Sequence, residues 1–302
     1  MPGGSVLTPR RYAVLGSIGQ LGCELCRILP GEVIALTRKD LDLSQPSNAR
    51  LLLKDLKPDV LLNCAAYNLV DRAEQEPGVA FAVNAWGVRE LALACRDLDC
   101  TLAHFSTDYV FGLDETRCTP YLEEDAPGPL SLYGLSKLVG EYLVRSLCPK
   151  HFVVRTCGLY SVRGQGGKGG NFVETMLRLA KAEKPLRVVN DQVCTPSYTV
   201  DVAAAVAALV QTDCYGLVHI TNSGSCSWYE FAREIFERFD TLANLTPISS
   251  KEFGALARRP SYSVLATSRA AKIPGLVLRG WKDALSAYLE ERDPLLSPKG
   301  GG

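Results

Sequence analysis

The sequence predicts an α/β protein built on a doubly wound parallel sheet, with a second, smaller region formed by late segments. Three observations predict it. Short apolar runs alternate with amphipathic stretches through the first half, a glycine-rich turn joins the first run to the first helix, and the texture turns irregular after Thr156. Strands and helices alternating at that spacing require βαβ crossovers, and hence a parallel sheet covered on both faces.

Taken in order, Tyr12–Leu15 reads as a buried strand, Gln20–Leu29 as a helix and Glu32–Thr37 as a second strand. A helix around Pro46–Leu56 leads to the strand Asp59–Asn63, and a long helix runs from about Val79 to Asp97. The strand Thr101–Ser106, a Pro/Gly-rich loop, the helix Tyr133–Ser146 and the strand Phe152–Thr156 follow. Ser161–Gly170 is a glycine-rich loop without the G-K-[S/T] of a Walker phosphate loop, and Asn171 caps a helix Phe172–Ala182. Val200–Val210 and Leu217–Thr221 read as one more helix and strand returning to the sheet. Ser227–Phe239 reads as an amphipathic helix, and the remainder as shorter and more irregular.

Bulk properties exclude several classes of function. With 33 basic and 33 acidic side chains among 302 residues, no global charge draws the chain to nucleic acid or an acidic membrane. The longest apolar runs, such as Val200–Val210, are too short to span a bilayer. The first ten residues lack the apolar core of a secretory signal and read as a loose leader, and Gly300–Gly302 as a tail. Eleven cysteines at irregular spacing, with Cys23 and Cys26 inside a helix, point to reduced thiols in the cytoplasm and to no metal site. His104, His151 and His219 stand singly in strand-like runs and read as structural.

Two motifs carry chemistry. Gly16, Gly19 and Gly22 sit between the first strand and the first helix, where glycine permits a tight turn and close backbone approach to a pyrophosphate. Gln20 and Leu21 open that helix, and the arrangement is a Rossmann-type dinucleotide turn with the spacing G-x-x-G-x-x-G. Past the second strand stand Arg38 and Lys39, where an NAD enzyme often carries an acid; cations there suit a 2′-phosphate and favour NADPH, with NADH left open. Asp42 and Leu43 are placed to border the adenine. The second motif is Tyr133-Gly134-Leu135-Ser136-Lys137, whose tyrosine and lysine share a helix face. An ammonium near a phenol lowers its pKa from about 10 toward the working range. In a doubly wound sheet the carboxyl ends of the strands carry the ligand, so Thr107 and Tyr133 can converge.

With these motifs on the page, the chain resembles the extended short-chain dehydrogenase/reductases and, within them, the dTDP-4-dehydrorhamnose reductase family. The resemblance covers about Arg11 to Leu289. It is carried by GSIGQLG (Gly16–Gly22), PDVLLNCAAYNLVDRAE (Pro58–Glu74), STDYVFG (Ser106–Gly112), YGLSKLVGE (Tyr133–Glu141) and RTCGLY (Arg155–Tyr160). GNFV (Gly170–Val173), NDQVCTPSYTVDVA (Asn190–Ala203), SWYEFA (Ser227–Ala232) and RRPSYSVL (Arg258–Leu265) follow in family order.

The resemblance implies NADPH-dependent reduction of the 4-keto group of a nucleotide-linked 6-deoxysugar, with Thr107, Tyr133 and Lys137 as the catalytic set. Tyr133 would protonate the ketone oxygen, Lys137 would hold the nicotinamide ribose and depress the Tyr133 pKa, and Thr107 would orient the carbonyl. Ala65, Ala66 and Tyr67 would line the cofactor, Tyr109 would touch the sugar, and Asn171 and Arg259 would face the nucleotide diphosphate. It also implies a dinucleotide-binding unit over 11–160 plus about 196–223, and a substrate-binding region over about 161–195 and 224–292. A Mg2+ requirement and a homodimer stay open. One departure stands out: family members carry Trp in the segment that here holds Gly158. Either Tyr160 or Tyr198 refills that space, or the pocket is wider and less selective. Two other readings remain: a non-catalytic NADP-binding regulatory subunit resembling the methionine adenosyltransferase β subunit, or a nucleotide-sugar epimerase or dehydratase with retained NAD.

Overall fold

A computed structural model of the chain describes residues 9–164, 170–182 and 185–296. Most of the expected leader, the middle of the Ser161–Gly170 loop and the Gly300–Gly302 tail lie outside the described residues. Five successive strands, β1 (Arg11–Leu15), β2 (Glu32–Leu36), β3 (Val60–Asn63), β4 (Thr101–Thr107) and β5 (His151–Thr156), join the later strand Gly216–His219 in one sheet. Every pairing in it is parallel, and the order from edge to edge is Gly216–His219, β5, β4, β3, β1, β2. From β1 the chain builds outward to β2, and from β3 onward it builds the other way. That reversal opens a crevice at the carboxyl ends of β1 and β3, where open α/β sheets bind ligands.

Strand alternation explains the two layers. Tyr12, Val14, Val60, Leu62, Phe152 and Val154 face one way and pack on the helices Gln20–Ile28 and Thr199–Leu209. Ala13, Leu15, Leu61, Leu102 and Val153 face the other way, onto the helices Ala49–Leu56 and Gly87–Asp97. With both faces covered, the middles of the strands are largely apolar, which is why they read as near-continuous runs.

The long helix expected from about Val79 to Asp97 is broken into shorter pieces, and further helix precedes it. A short helix Val70–Gln75 comes first, then a helical turn Pro77–Phe81, a π-helical turn Ala82–Trp86 and the helix Gly87–Asp97. Pro77 ends the first helix, because it has no N–H to continue it. The late segments also hold more structure than expected. The helix Trp281–Leu296 places Trp281, Ala284, Leu285 and Tyr288 on one face, buried against Tyr160, Tyr198 and Phe231. That third core also takes the helices Phe172–Ala180 and Trp228–Arg238, the latter started by a reciprocal Ser227–Glu230 capping box.

Beneath the crevice, Glu141 and Arg155 form a fully buried ion pair at 2.7 and 2.9 Å, and Ser106 adds a hydrogen bond of 2.5 Å to the same carboxylate. The pair ties the helix Leu132–Leu147 to β4 and β5, and so fixes the two elements that carry Thr107 and Tyr133.

Candidate active site

The turn after β1 is built for close approach. Gly16 sits at φ +81°, and a Cβ there would lie 2.8 Å from the Ala65 nitrogen; one on Gly22 would lie 2.3 Å from the Gly16 oxygen. The Gly16 and Ser17 amides donate to the Leu36 carbonyl, tying the turn to the end of β2. Gly19 caps the helix Gln20–Ile28 without any side-chain hydrogen bond. The first-turn amides thus lack a side-chain acceptor, and the buried Gln20 Oε1 has no partner either. A backbone cradle that no side chain fills, beside orphaned polar groups at a helix N-terminus, fits a dinucleotide pyrophosphate. Leu21 is buried in the core below.

At the end of β2, Arg38 is largely exposed and its Nε donates to Asp42 at 2.8 Å, while Lys39 is exposed beside it. Arg38 and Asp42 are therefore partners, one cationic and one anionic, on the rim. Leu43 is buried among the helices of the β2 side, and its carbonyl oxygen would lie 2.4 Å from a Cβ on Gly87.

Ala65, Ala66 and Tyr67 leave β3 across the crevice from the glycine turn. Their path is held by residues that motif reading missed. Asn63 Oδ1 accepts from the Ala65 amide, and its Nδ2 contacts His104 Nδ1 at 3.1 Å. The buried Asn84 accepts from the Tyr67 amide, donates to the Tyr67 carbonyl, both at 2.9 Å, and donates to Ser136 Oγ at 3.0 Å. Asn84 lies in the π-helical turn, a distortion that recurs at functional sites because it re-aims one side chain. No sequence signal marks such a turn; a buried asparagine in an apolar helix is the trace it leaves.

Thr107, Tyr133 and Lys137 come together at the carboxyl end of β4. Thr107 is the last residue of β4, and Ser131 caps the helix that carries the other two. Gly134 lets that helix close on the strand exit: a Cβ there would lie 2.3 Å from the Tyr109 carbonyl oxygen. The Tyr133 phenol lies beside the Thr107 hydroxyl, which opposes burial, yet burial wins and pushes the phenol up to about 12. Lys137 is buried, its Nζ donates to the Phe105 carbonyl at 2.6 Å, and burial brings its pKa down to about 8. This corrects one expectation. Lys137 does not depress the Tyr133 pKa here, because its ammonium is turned to the Phe105 carbonyl and the titratable groups that act on the phenol are Asp108 and the neutral Cys157 thiol.

Beyond Tyr133, the Tyr109 ring packs edge-to-face against it, with centroids 6.1 Å apart. Arg259 is held in a fork by Asp71, at 3.1 and 2.6 Å, and also donates to the Ala257 carbonyl. The ion pair holds the Asp71 carboxyl below its ordinary value. Asp71 was not singled out from sequence; it joins the helix Val70–Gln75 to the late segment across the cleft. Asn171 is occupied locally, with its Oδ1 capping Glu174 and its Nδ2 donating to the Ser161 carbonyl at 2.7 Å. Neither Tyr160 nor Tyr198 refills the space beside Gly158. Both are buried and stacked on each other, with centroids 5.6 Å apart. The aromatic that does reach Gly158 is Trp228, whose Cη2 would lie 3.4 Å from a Cβ there. Among the described residues no group of three or more His, Cys, Asp or Glu is placed to hold a metal ion, and no helix is long and apolar enough to cross a membrane.

Comparison with known proteins follows the same geometry. The family described as RmlD substrate binding domain matches residues 10–293. The chain is 41% identical to the spore coat polysaccharide biosynthesis protein SpsK of Bacillus subtilis, over 93% of this chain and 98% of that one. It is 38% identical to the dTDP-4-dehydrorhamnose reductase of Sinorhizobium fredii, over 91% and 95%. Its fold superposes with a TM-score of 0.88 on the Bacillus anthracis dTDP-4-dehydrorhamnose reductase in complex with NADP, at 36% identity, covering 94% of this chain and all of that one.

Proposed function

This chain belongs to the dTDP-4-dehydrorhamnose reductase family, and we propose on that footing that it reduces the 4-keto group of dTDP-4-dehydrorhamnose to give dTDP-L-rhamnose. NADPH is the cofactor, as the relative solved with NADP supports, and when bound it supplies the hydride. The observation that carries the reading is the convergence of Thr107 and Tyr133 beside the buried Lys137, at the carboxyl end of β4.

The residues divide the work as follows. Thr107 and Tyr133 present two hydroxyls to one carbonyl oxygen, fixing its orientation and stabilising the charge that develops there. A phenol held near 12 keeps its proton at neutral pH, so Tyr133 is ready to donate to the nascent alkoxide. Lys137 holds a cation under the same site, within reach of a ribose hydroxyl. The glycine turn and the uncapped helix N-terminus receive the pyrophosphate, Arg38 and Lys39 the 2′-phosphate, and Ala65, Ala66 and Tyr67 flank the cofactor. Arg259 and Asn171 border the diphosphate of the sugar nucleotide, and Tyr109 borders the sugar. The substrate side is thus the region of about 161–195 and 224–292, set against the dinucleotide unit of 11–160 plus about 196–223.

The eleven unpaired cysteines support a cytoplasmic location. Exposed Val79, Trp86, Leu135 and Tyr142, on helices that pack together, support a homodimer, and Trp86→Glu should then sediment as a monomer. The functional reading is tested by NADPH oxidation across dTDP-, UDP- and GDP-linked 4-keto-6-deoxysugars. Turnover is expected with the dTDP sugars, and binding of NADPH without turnover of any sugar would refute it.

A further inference from the structure

Gly158 stands two residues past the carboxyl end of β5. Thr156 is the register partner of Thr107, so the chain leaving β5 through Cys157 and Gly158 emerges at the same sheet end as the reacting hydroxyls. Cys157 is pinned there, its Sγ donating to the buried Asp108 at 3.1 Å, and the Ser197 amide donates to the Gly158 carbonyl at 3.2 Å. Gly158 itself takes φ +54°, and a side chain on it would meet the Pro196 Cα at 3.2 Å. A bulky residue grafted at 158 would be strained on both counts.

What faces Gly158 instead is the far edge of an indole. Trp228 opens the helix Trp228–Arg238, where the Ser227–Glu230 capping box fixes its direction. Its ring is backed by Phe172, with centroids 4.8 Å apart, and by the buried Phe231 at 6.4 Å. Trp228 and Phe172 are both half-buried, so part of this braced aromatic surface is not covered by the protein. With no side chain at 158, the edge of the indole that reaches it meets only backbone just past the end of β5.

We propose that Trp228, braced by Phe172, is the specificity wall of the sugar pocket, packing against the apolar C–H face and the C5-methyl of the 4-keto-6-deoxyhexose. The inference rests on the reductase reading above. An aromatic face takes the apolar side of a sugar by contact and area burial, and leaves its hydroxyls to polar groups elsewhere. One methyl group read by an apolar wall discriminates by about tenfold or somewhat more. The pocket is therefore selective for a 6-deoxy sugar, in place of the wider pocket expected from a missing tryptophan.

The protein has three tryptophans, so Trp86→Phe with Trp281→Phe leaves Trp228 as the single indole. In that variant, with NADP present, dTDP-L-rhamnose should shift or quench the emission, and dTDP alone should not. In the otherwise unaltered enzyme, Trp228→Ala should raise KM for the 4-keto-6-deoxysugar by about tenfold and erase the preference over its 6-hydroxy analogue. Trp228→Phe should keep KM within about threefold, and kcat should change little in either variant. Calorimetry gives the independent measure of binding. If the product binds and the Trp228 emission does not move, or if Trp228→Ala keeps both KM and preference, the inference falls while the reductase reading stands. If no 4-keto sugar is turned over and none binds, both fall.

Discussion

Tyr133 and Lys137 stand one helical turn apart and face different partners: the phenol is set beside the Thr107 hydroxyl, and the ammonium donates to the Phe105 carbonyl at 2.6 Å. The lysine therefore anchors the helix to β4, and the tyrosine meets the substrate carbonyl with its proton in place. Removing the phenol oxygen alone should separate these duties. Tyr133→Phe is expected to lower kcat by about a hundredfold or more, the scale of lost general acid catalysis, with the NADPH Kd within about threefold. Single-turnover kinetics beside NADPH fluorescence titration measure the two; near-normal turnover would take Tyr133 out of the reaction.

The buried ammonium gives a pH dependence with a definite sign. Burial lowers Lys137 from 10.5 to about 8, so the folded protein releases this proton before the unfolded chain does. Charging the lysine in its buried site costs stability below about pH 8, and that cost fades as pH rises through 8 toward 10.5. Activity runs the other way if the cation is needed. The kcat/KM for NADPH, which reports the free enzyme, should fall on the alkaline side with a midpoint near 8. A profile flat to pH 10 would show that the charge on Lys137 is dispensable.

Cofactor choice is expected to lie in Arg38 and Lys39. Replacing both by Ala should raise the NADPH KM by about tenfold and leave the NADH value within about twofold, because only one cofactor carries the extra phosphate. Equal losses for both would mean that the exposed Arg38–Asp42 pair is a surface contact without a role in reading the phosphate.

The Asp71–Arg259 fork makes a prediction on the substrate side. Asp71→Asn removes the counter-charge that holds the guanidinium over the cleft. The KM for the sugar nucleotide should rise by about tenfold, with kcat and the NADPH KM little changed, since a loosened Arg loses its fork geometry before its charge. A fall in KM would show instead that Asp71 competes with the diphosphate for Arg259.

Much of this arrangement was legible in the residues, for identifiable reasons. Strands covered on both faces leave continuous apolar runs, and the Gly16–Gly22 turn and the Tyr133–Lys137 spacing announce themselves locally. The sheet-returning strand near Leu217 was readable in the same way. What stayed hidden depends on distant partners. Asn84 clamps Tyr67 from a π-helical turn with no sequence signature, and Asp71 matters because Arg259, far along the chain, comes back to it. The place of Gly158 is served by an indole seventy residues later in sequence, which no local pattern reports. In the helix Trp281–Leu296, Trp281, Ala284, Leu285 and Tyr288 carry helical spacing, but the polar, proline-containing end of the segment masks it.

Below the site, the Glu141–Arg155 pair sets the stability of the scaffold. Glu141→Leu would strand a buried guanidinium and should cost about 3–5 kcal/mol, while Glu141→Leu with Arg155→Met should recover most of it. Denaturant unfolding of the two variants measures the difference. Equal losses would show that packing matters there and charge pairing does not.

The reductase assignment is tested most directly by following the hydrogen. Incubated with dTDP-4-dehydrorhamnose and NADPH deuterated at the transferable position, the protein should give dTDP-L-rhamnose with deuterium at sugar C4, with one NADPH consumed per product. Tight NADPH binding with no labelled sugar formed would contradict the account and leave the chain as a cofactor-binding regulatory subunit.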